Sequence, residues 1–107
     1  MKSNQPPSII AQRLKTARLA KGLTQEQLGV MAGIDEFSAS ARMNRYEKGI
    51  HEPNFGMMQH LAEVLGLPVA FFYCIEDDFA DLLARTARLS PTNRAMIFDL
   101  ARRLSDC

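Results

Sequence analysis

Gly22, Gly33, Gly49 and Gly66 cut the chain into segments, and Ser8, Thr24, Asp35 and Asn54 stand near the starts of the first four as residues suited to opening a helix. That punctuation predicts a succession of short helices. Ser8 can act as an N-cap, and Ile10, Leu14 and Ala17 follow it at i, i+4, i+7 spacing, so a helix is expected over about residues 9–21. Gly22 takes left-handed backbone angles without steric cost and supplies its stop. Thr24-Gln25-Glu26-Gln27 has the form of a capping box, in which the Thr24 hydroxyl and the Gln27 side chain each satisfy a free backbone N–H. A second helix therefore opens at Gln25, and Gly33 keeps it short.

Within that second helix Leu28 and Ala32 face inward, with Gly29 beside them. A glycine inside a helix costs about 1 kcal/mol relative to alanine, so Gly29 points to another backbone crossing closely. The third helix is the expected neighbour. It carries Ala39, Met43 and Tyr46 on one face and Ser40, Ala41, Arg42, Asn44, Arg45 and Lys48 around the rest, and Gly49 closes it. Asn54 can cap a fourth helix whose inward stripe is Phe55, Met58, Leu61, Ala62 and Leu65, stopped by Gly66 and Pro68. PVAFFYC reads as a short apolar turn that closes the bottom of the core. From Asp77 onward, Phe79, Leu82 and Leu83 mark a further helix. Ser90-Pro91, a cap with proline at the first helical position, opens a last one marked by Met96, Ile97, Leu100, Ala101 and Leu104. Nothing reads as a strand or a repeat, so the fold class is all-α, a compact helical bundle. Residues 1–7, MKSNQPP, read as a loose tail.

The net charge of +1 hides an asymmetry. Residues 1–49 carry eight Lys/Arg against four Asp/Glu, and residues 50–107 carry five against eight. An electrostatic footprint for an anionic partner lies in the first half. No apolar run approaches the roughly 18 residues that cross a bilayer, and the start has no cleavable leader pattern, so a cytoplasmic protein with no membrane contact is expected. Cys74 and Cys107 have no ligand or disulfide-framework spacing; a buried Cys74 and a free Cys107 are expected, with no metal site. Cys74 sits in an apolar segment beside acids, which disfavour a thiolate. No Cys/His or paired-carboxylate arrangement argues for an enzyme, and no cofactor is implied.

The stretch from Ser8 to Tyr73, about 66 of the 107 residues, resembles the Cro/repressor-type (XRE) helix-turn-helix family of transcriptional regulators. Four pieces in register carry the likeness: RLKTARLAKGLTQEQL, the Ala32-Gly33-Ile34 turn, MNRYEKG, and EPNFGMMQHLAEVLGLPV. The resemblance implies a lambda-repressor-like bundle over residues 8–75, followed by a helical extension over 76–107 that can serve dimerisation. It implies that the third helix enters the major groove of double-stranded DNA, where Arg, Asn and Ser can read base edges. Arg45 and Asn44 are then the leading base readers, with Ser40 and Arg42 next; outside such a motif they would be solvated residues of an exposed face. Gln25, Lys48, His51 and Asn54 are placed to anchor phosphates. Pure capping is an equal reading for Thr24 and Asn54, and His51 can equally be a plain loop residue. His60 lies away from the motif as a solvent-facing or packed side chain. Arg18 and Glu47 match family positions that form an ion pair between the first and third helices, structural if buried and nearly neutral in energy if exposed.

One departure stands out. From Gly33 to Gly49 the chain is four residues longer than the usual motif, about one helical turn. Ala39 stands where the family caps the third helix and cannot cap, whereas Asp35 can, so an extra N-terminal turn starting near Glu36 is expected. A longer loop capped at Ser38 is the alternative. Phe37 is expected to bury against the second helix, with contact to a thymine methyl as its other use. Asp35 and Glu36 would stand near the groove and repel phosphates.

The expected function is that of a sequence-specific DNA-binding regulator, a repressor, acting as a homodimer without a small-molecule effector. A helical protein adaptor or antitoxin-like partner is the alternative reading, favoured by the acidic second half and the apolar last helix. That helix either pairs across a two-fold axis or folds back on its own domain.

Overall fold

The computed structural model describes residues 8–106; the loose tail expected over residues 1–7 and the free thiol expected at Cys107 lie outside them. Seven helices run in order among the described residues: α1 (Ile9–Ala20), α2 (Gln25–Met31), α3 (Glu36–Glu47), α4 (Phe55–Leu65), α5 (Val69–Tyr73), α6 (Asp77–Ala87) and α7 (Pro91–Ser105). The fold is all-α, as the caps and stops predicted. Each of the first four starts on a side-chain cap: Ser8 Oγ accepts from Ala11 N, Thr24 Oγ1 from Gln27 N, Asp35 Oδ2 from Phe37 N and Asn54 Oδ1 from Met57 N. At α2 the reciprocal bond closes the capping box, with Thr24 N donating to Gln27 Oε1 at 2.9 Å.

The core is drawn from Leu14 of α1, Leu28 of α2, Met43 of α3, Met58 and Leu61 of α4 and Phe72 of α5, all fully buried. Burying side chains of this kind stabilises the fold by about 1.5–3 kcal/mol each. The apolar PVAFFYC segment is a short helix rather than a turn, and it sets Phe71 and Phe72 edge to face at 5.1 Å under α1 and α4. α2 and α3 cross where the sequence called for a close approach. A Cβ added at Gly29 would stand 2.9 Å from Ala39 Cβ and 3.3 Å from Ala39 Cα.

The four extra residues extend α3 at its N-terminus, with Asp35 as the cap. Three side chains depart from expectation. Phe37 is not buried against α2 but 92% exposed, because the phase of α3 sets it on the face opposite Ala39, Met43 and Tyr46. Phe55, assigned to the inward stripe of α4, is exposed; it is the first residue of that helix, where no neighbour covers it. Cys74 is half-buried at the core margin rather than enclosed. Phe79, Leu82, Met96, Leu100 and Leu104 are exposed as well, so α6 and α7 present apolar surface outward.

Candidate nucleic-acid interface

The outer face of α3 follows from its inner one. Ala39, Met43, Tyr46 and Glu47 are buried, and at 100° per residue the opposite side carries Phe37, Ala41, Arg45 and Lys48, with Asn44 at its edge. All but Asn44 are exposed, and Asn44 is half-buried. Ser40 and Arg42 are exposed on the two flanks.

On the Arg42 flank, Arg42, Arg45, His51 and Asn54 surround one open cavity of ≈360 Å³, together with Tyr46 and Glu52. Residues from α3, the following loop and the start of α4 converge there. Arg42 is not a loose charge: its guanidinium donates to Tyr46 Oη at 2.9 Å and lies 5.9 Å from that ring's centre. Asn54 Oδ1 is taken by its own cap bond, so its capping role is realised.

On the opposite flank the side chains form a chain of bonds inward. Gln25 Nε2 donates to Glu47 Oε1 at 3.1 Å and to Asn44 Oδ1 at 3.4 Å. Glu47 accepts from Arg18 Nε at 2.6 Å and from Arg18 Nη2 at 3.0 Å, a two-pronged pair whose side chains are only 10% and 3% exposed. Arg18 Nη1 also donates to the Leu23 carbonyl at 2.8 Å. The hydrogen bond to Glu47 raises the Arg18 pKa above its ordinary value, against the desolvation that lowers it. The guanidinium therefore stays charged, and one polar thread runs from α1 through α3 to Gln25 at the first position of α2.

The residues singled out in the sequence thus fall into two groups, Gln25 with Asn44 and the Arg18–Glu47 pair, and Arg42 with Arg45, His51 and Asn54. Ser40 and Lys48 are exposed on α3 and at its end, and His60 is exposed on α4. Ala41 was not among the candidates, and Phe37 was expected first to bury with a thymine methyl as its other use, although the phase of α3 counted back from Arg45 was the available signal that both face outward. Arg13 was overlooked too. It donates to the carbonyls of Cys74 and Ile75 and to Asp77 Oδ1, tying α1 to the start of α6, and no local pattern announces a contact across so much sequence. Among the described residues no cluster of His, Cys, Asp and Glu could hold a metal ion, and no helix is long and apolar enough to cross a membrane.

The comparisons with known proteins agree with this layout. A family model described as helix-turn-helix matches residues 14–72. Two curated relatives, uncharacterized HTH-type transcriptional regulators of Sinorhizobium medicae (strain WSM419) and Rhizobium meliloti (strain 1021), are each 30% identical over 64 residues, which is 60% of this chain. The match spans only 43% of the length of those relatives. Among solved structures, the transcriptional regulator BswR is 43% identical, with a TM-score of 0.81 over 87% of this chain and 92% of its own. Sequence, fold and the capped pair α2–α3 converge: the chain belongs to the Cro/repressor-type (XRE) helix-turn-helix family of transcriptional regulators.

Proposed function

We propose that this chain is a sequence-specific double-stranded DNA-binding repressor, acting in the cytoplasm, that lays α3 in the major groove. The observation that carries the reading is the outer face of α3, where Arg45, Asn44 and Lys48 project away from the core beside the Arg42–His51–Asn54 cavity. An α-helix fits the major groove, and Arg and Asn match guanine and adenine edges with paired hydrogen bonds. Arg45 and Asn44 read bases, helped by Ser40 and Arg42. Gln25, Lys48, His51 and Asn54 hold phosphates, aided by the free N–H groups of the first turns of α2 and α4. Residues 8–75 form the DNA-binding domain, and 76–107 an extension that pairs two copies. Occupancy of a promoter by such a dimer blocks other proteins from it, which is repression.

Titration of the full chain with duplex DNA at two salt concentrations tests the reading. Affinity should fall steeply as salt rises, because bound phosphates release counterions. Binding that is absent or indifferent to salt on both random and genomic DNA rejects it. Arg45→Ala and Asn44→Ala should each lose about 1–3 kcal/mol of discrimination at particular base pairs. Lys48→Ala should weaken all sequences alike. Gln25→Ala should weaken all sequences too, and its bond to Asn44 adds a coupling of about 0.5 kcal/mol or more in a double-mutant cycle with Asn44→Ala.

The apolar surface of α6 and α7 favours a second reading, a helical adaptor or antitoxin-like protein that binds only protein. Docking of that kind need not show the salt slope, so the same titration separates the two.

A further inference from the structure

We propose that Phe37 is a specificity-determining residue that reads the C5-methyl group of a thymine in the major groove; the inference rests on the DNA-binding role proposed for α3. Phe37 is the second residue of that helix and 92% exposed, more than any other large apolar side chain described. Solvent exposure of a phenyl ring this complete is unfavourable in the free protein and turns favourable wherever a partner covers it. The backbone that carries the ring is also held in place. Its own backbone N–H donates to Asp35 Oδ2 at 3.0 Å, so the turn that carries it is capped rather than frayed.

Its position along α3 says what it meets. Phe37 precedes Ala41 by one turn and Arg45 by two, on the same outer face, so its Cα stands about 12 Å along the helix axis from the Arg45 Cα. A helix seated to bring Arg45 to a base edge therefore carries Phe37 to the base edges a few pairs away. The phenyl ring neither donates nor accepts a hydrogen bond. Among the groups displayed in the major groove, the one it matches is the thymine methyl. The four residues that lengthen the motif thus add a reader at the end of the helix.

The test begins with sites selected by the full chain from a random duplex pool. Each thymine of the selected site is replaced in turn by deoxyuridine, which removes the methyl and keeps the hydrogen-bonding edge. The natural chain should lose about fourfold in affinity, the value of one buried methylene-sized group, at one thymine of each half-site. Phe37→Ala should be indifferent to that replacement while keeping its salt slope and its dependence on the remaining bases, and Phe37→Leu should keep part of the sensitivity. Equal loss in the natural chain and in Phe37→Ala at every thymine overturns the proposal, as does salt-dependent, selective binding with no response to any deoxyuridine; both leave the role of α3 intact. Failure of the natural chain to bind DNA at all overturns the proposal together with the reading beneath it.

Discussion

Glu47 accepts hydrogen bonds from Arg18 on α1 and from Gln25 on α2 while belonging to α3, so three helices meet on one carboxylate. Because both partners of the Arg18–Glu47 pair are buried, truncating one strands a charge in the core, which costs about 3–5 kcal/mol. Arg18→Ala should therefore lower the thermal midpoint by ten degrees or more, on the order expected for a domain of this size. Arg42→Ala, which gives up an exposed guanidinium and its bond to Tyr46, should move it by a few degrees at most. Thermal unfolding of both variants checks this, and an unchanged midpoint for Arg18→Ala rejects the pair as a structural tie. The identity of the pair came from the resemblance and not from any local pattern. Its burial, and the Gln25 bond that links it to Asn44, depend on how α1, α2 and α3 pack, and residue types alone do not encode that. The same holds for Arg13, whose acceptors are the backbone carbonyls of Cys74 and Ile75 and the carboxylate of Asp77, more than sixty residues away.

At the level of elements the sequence was far more explicit, because helix ends are set by local chemistry. Thr24 with Gln27, Asp35, Asn54 and Ser90 each cap the helix they were expected to start. Gly29 was legible as well, and it permits a sharper expectation. Alanine at this position gains about 1 kcal/mol of helix propensity. The added methyl, however, would lie 2.9 Å from Ala39 Cβ and 3.1 Å from Met43 Cγ, with the Ala39 backbone directly behind. Met43 can shift, but the α3 backbone moves only if the two helices part, and overpacking of this kind costs about 1–3 kcal/mol. Gly29→Ala should then be destabilising on balance and should tilt α3, so DNA affinity falls along with the melting temperature. A variant that melts higher and binds as well as the natural chain would show that the crossing is looser than the geometry implies. What the pattern of elements left open was which apolar face finds a partner. Phe55 keeps helical phase with the buried Met58 and Ala62 yet sits at a helix start where nothing covers it, and Phe37 keeps phase with the exposed Ala41 and Arg45.

The same limit acts on the whole molecule, where periodicity in α6 and α7 marked apolar stripes without saying what they face. Only Ala80 of α6 is buried and no residue of α7 is, while Met96, Phe98, Leu100 and Leu104 all stand about half exposed or more. The radius of gyration, 15.8 Å, exceeds the roughly 13 Å of a compact chain this long, and the longest axis is 51 Å. α7 is anchored mainly at its start, where Arg94 reaches the carbonyls of Thr86, Ala87 and Leu89 at the end of α6. Beside it an apolar cleft of ≈510 Å³, lined among others by Leu67, Leu82, Ile97 and Phe98, lies open. Surface of this kind argues against α7 simply folding back on its own domain, and a second copy related by a two-fold axis would cover it. Such a dimer would also place two α3 helices on successive turns of DNA, about 34 Å apart, doubling a site that one short helix reads poorly. Sedimentation of the full chain at micromolar concentration should give a dimer, and a chain ending at Leu89 should give a monomer. Leu104→Glu together with Phe98→Glu in the full chain should shift the balance toward monomer without lowering helix content, since neither side chain is part of the core. DNA affinity should then drop and the preferred site should shrink from a palindrome to a half-site. Equal monomeric masses for all three proteins would reject the dimer and leave the apolar face of α7 to a different partner.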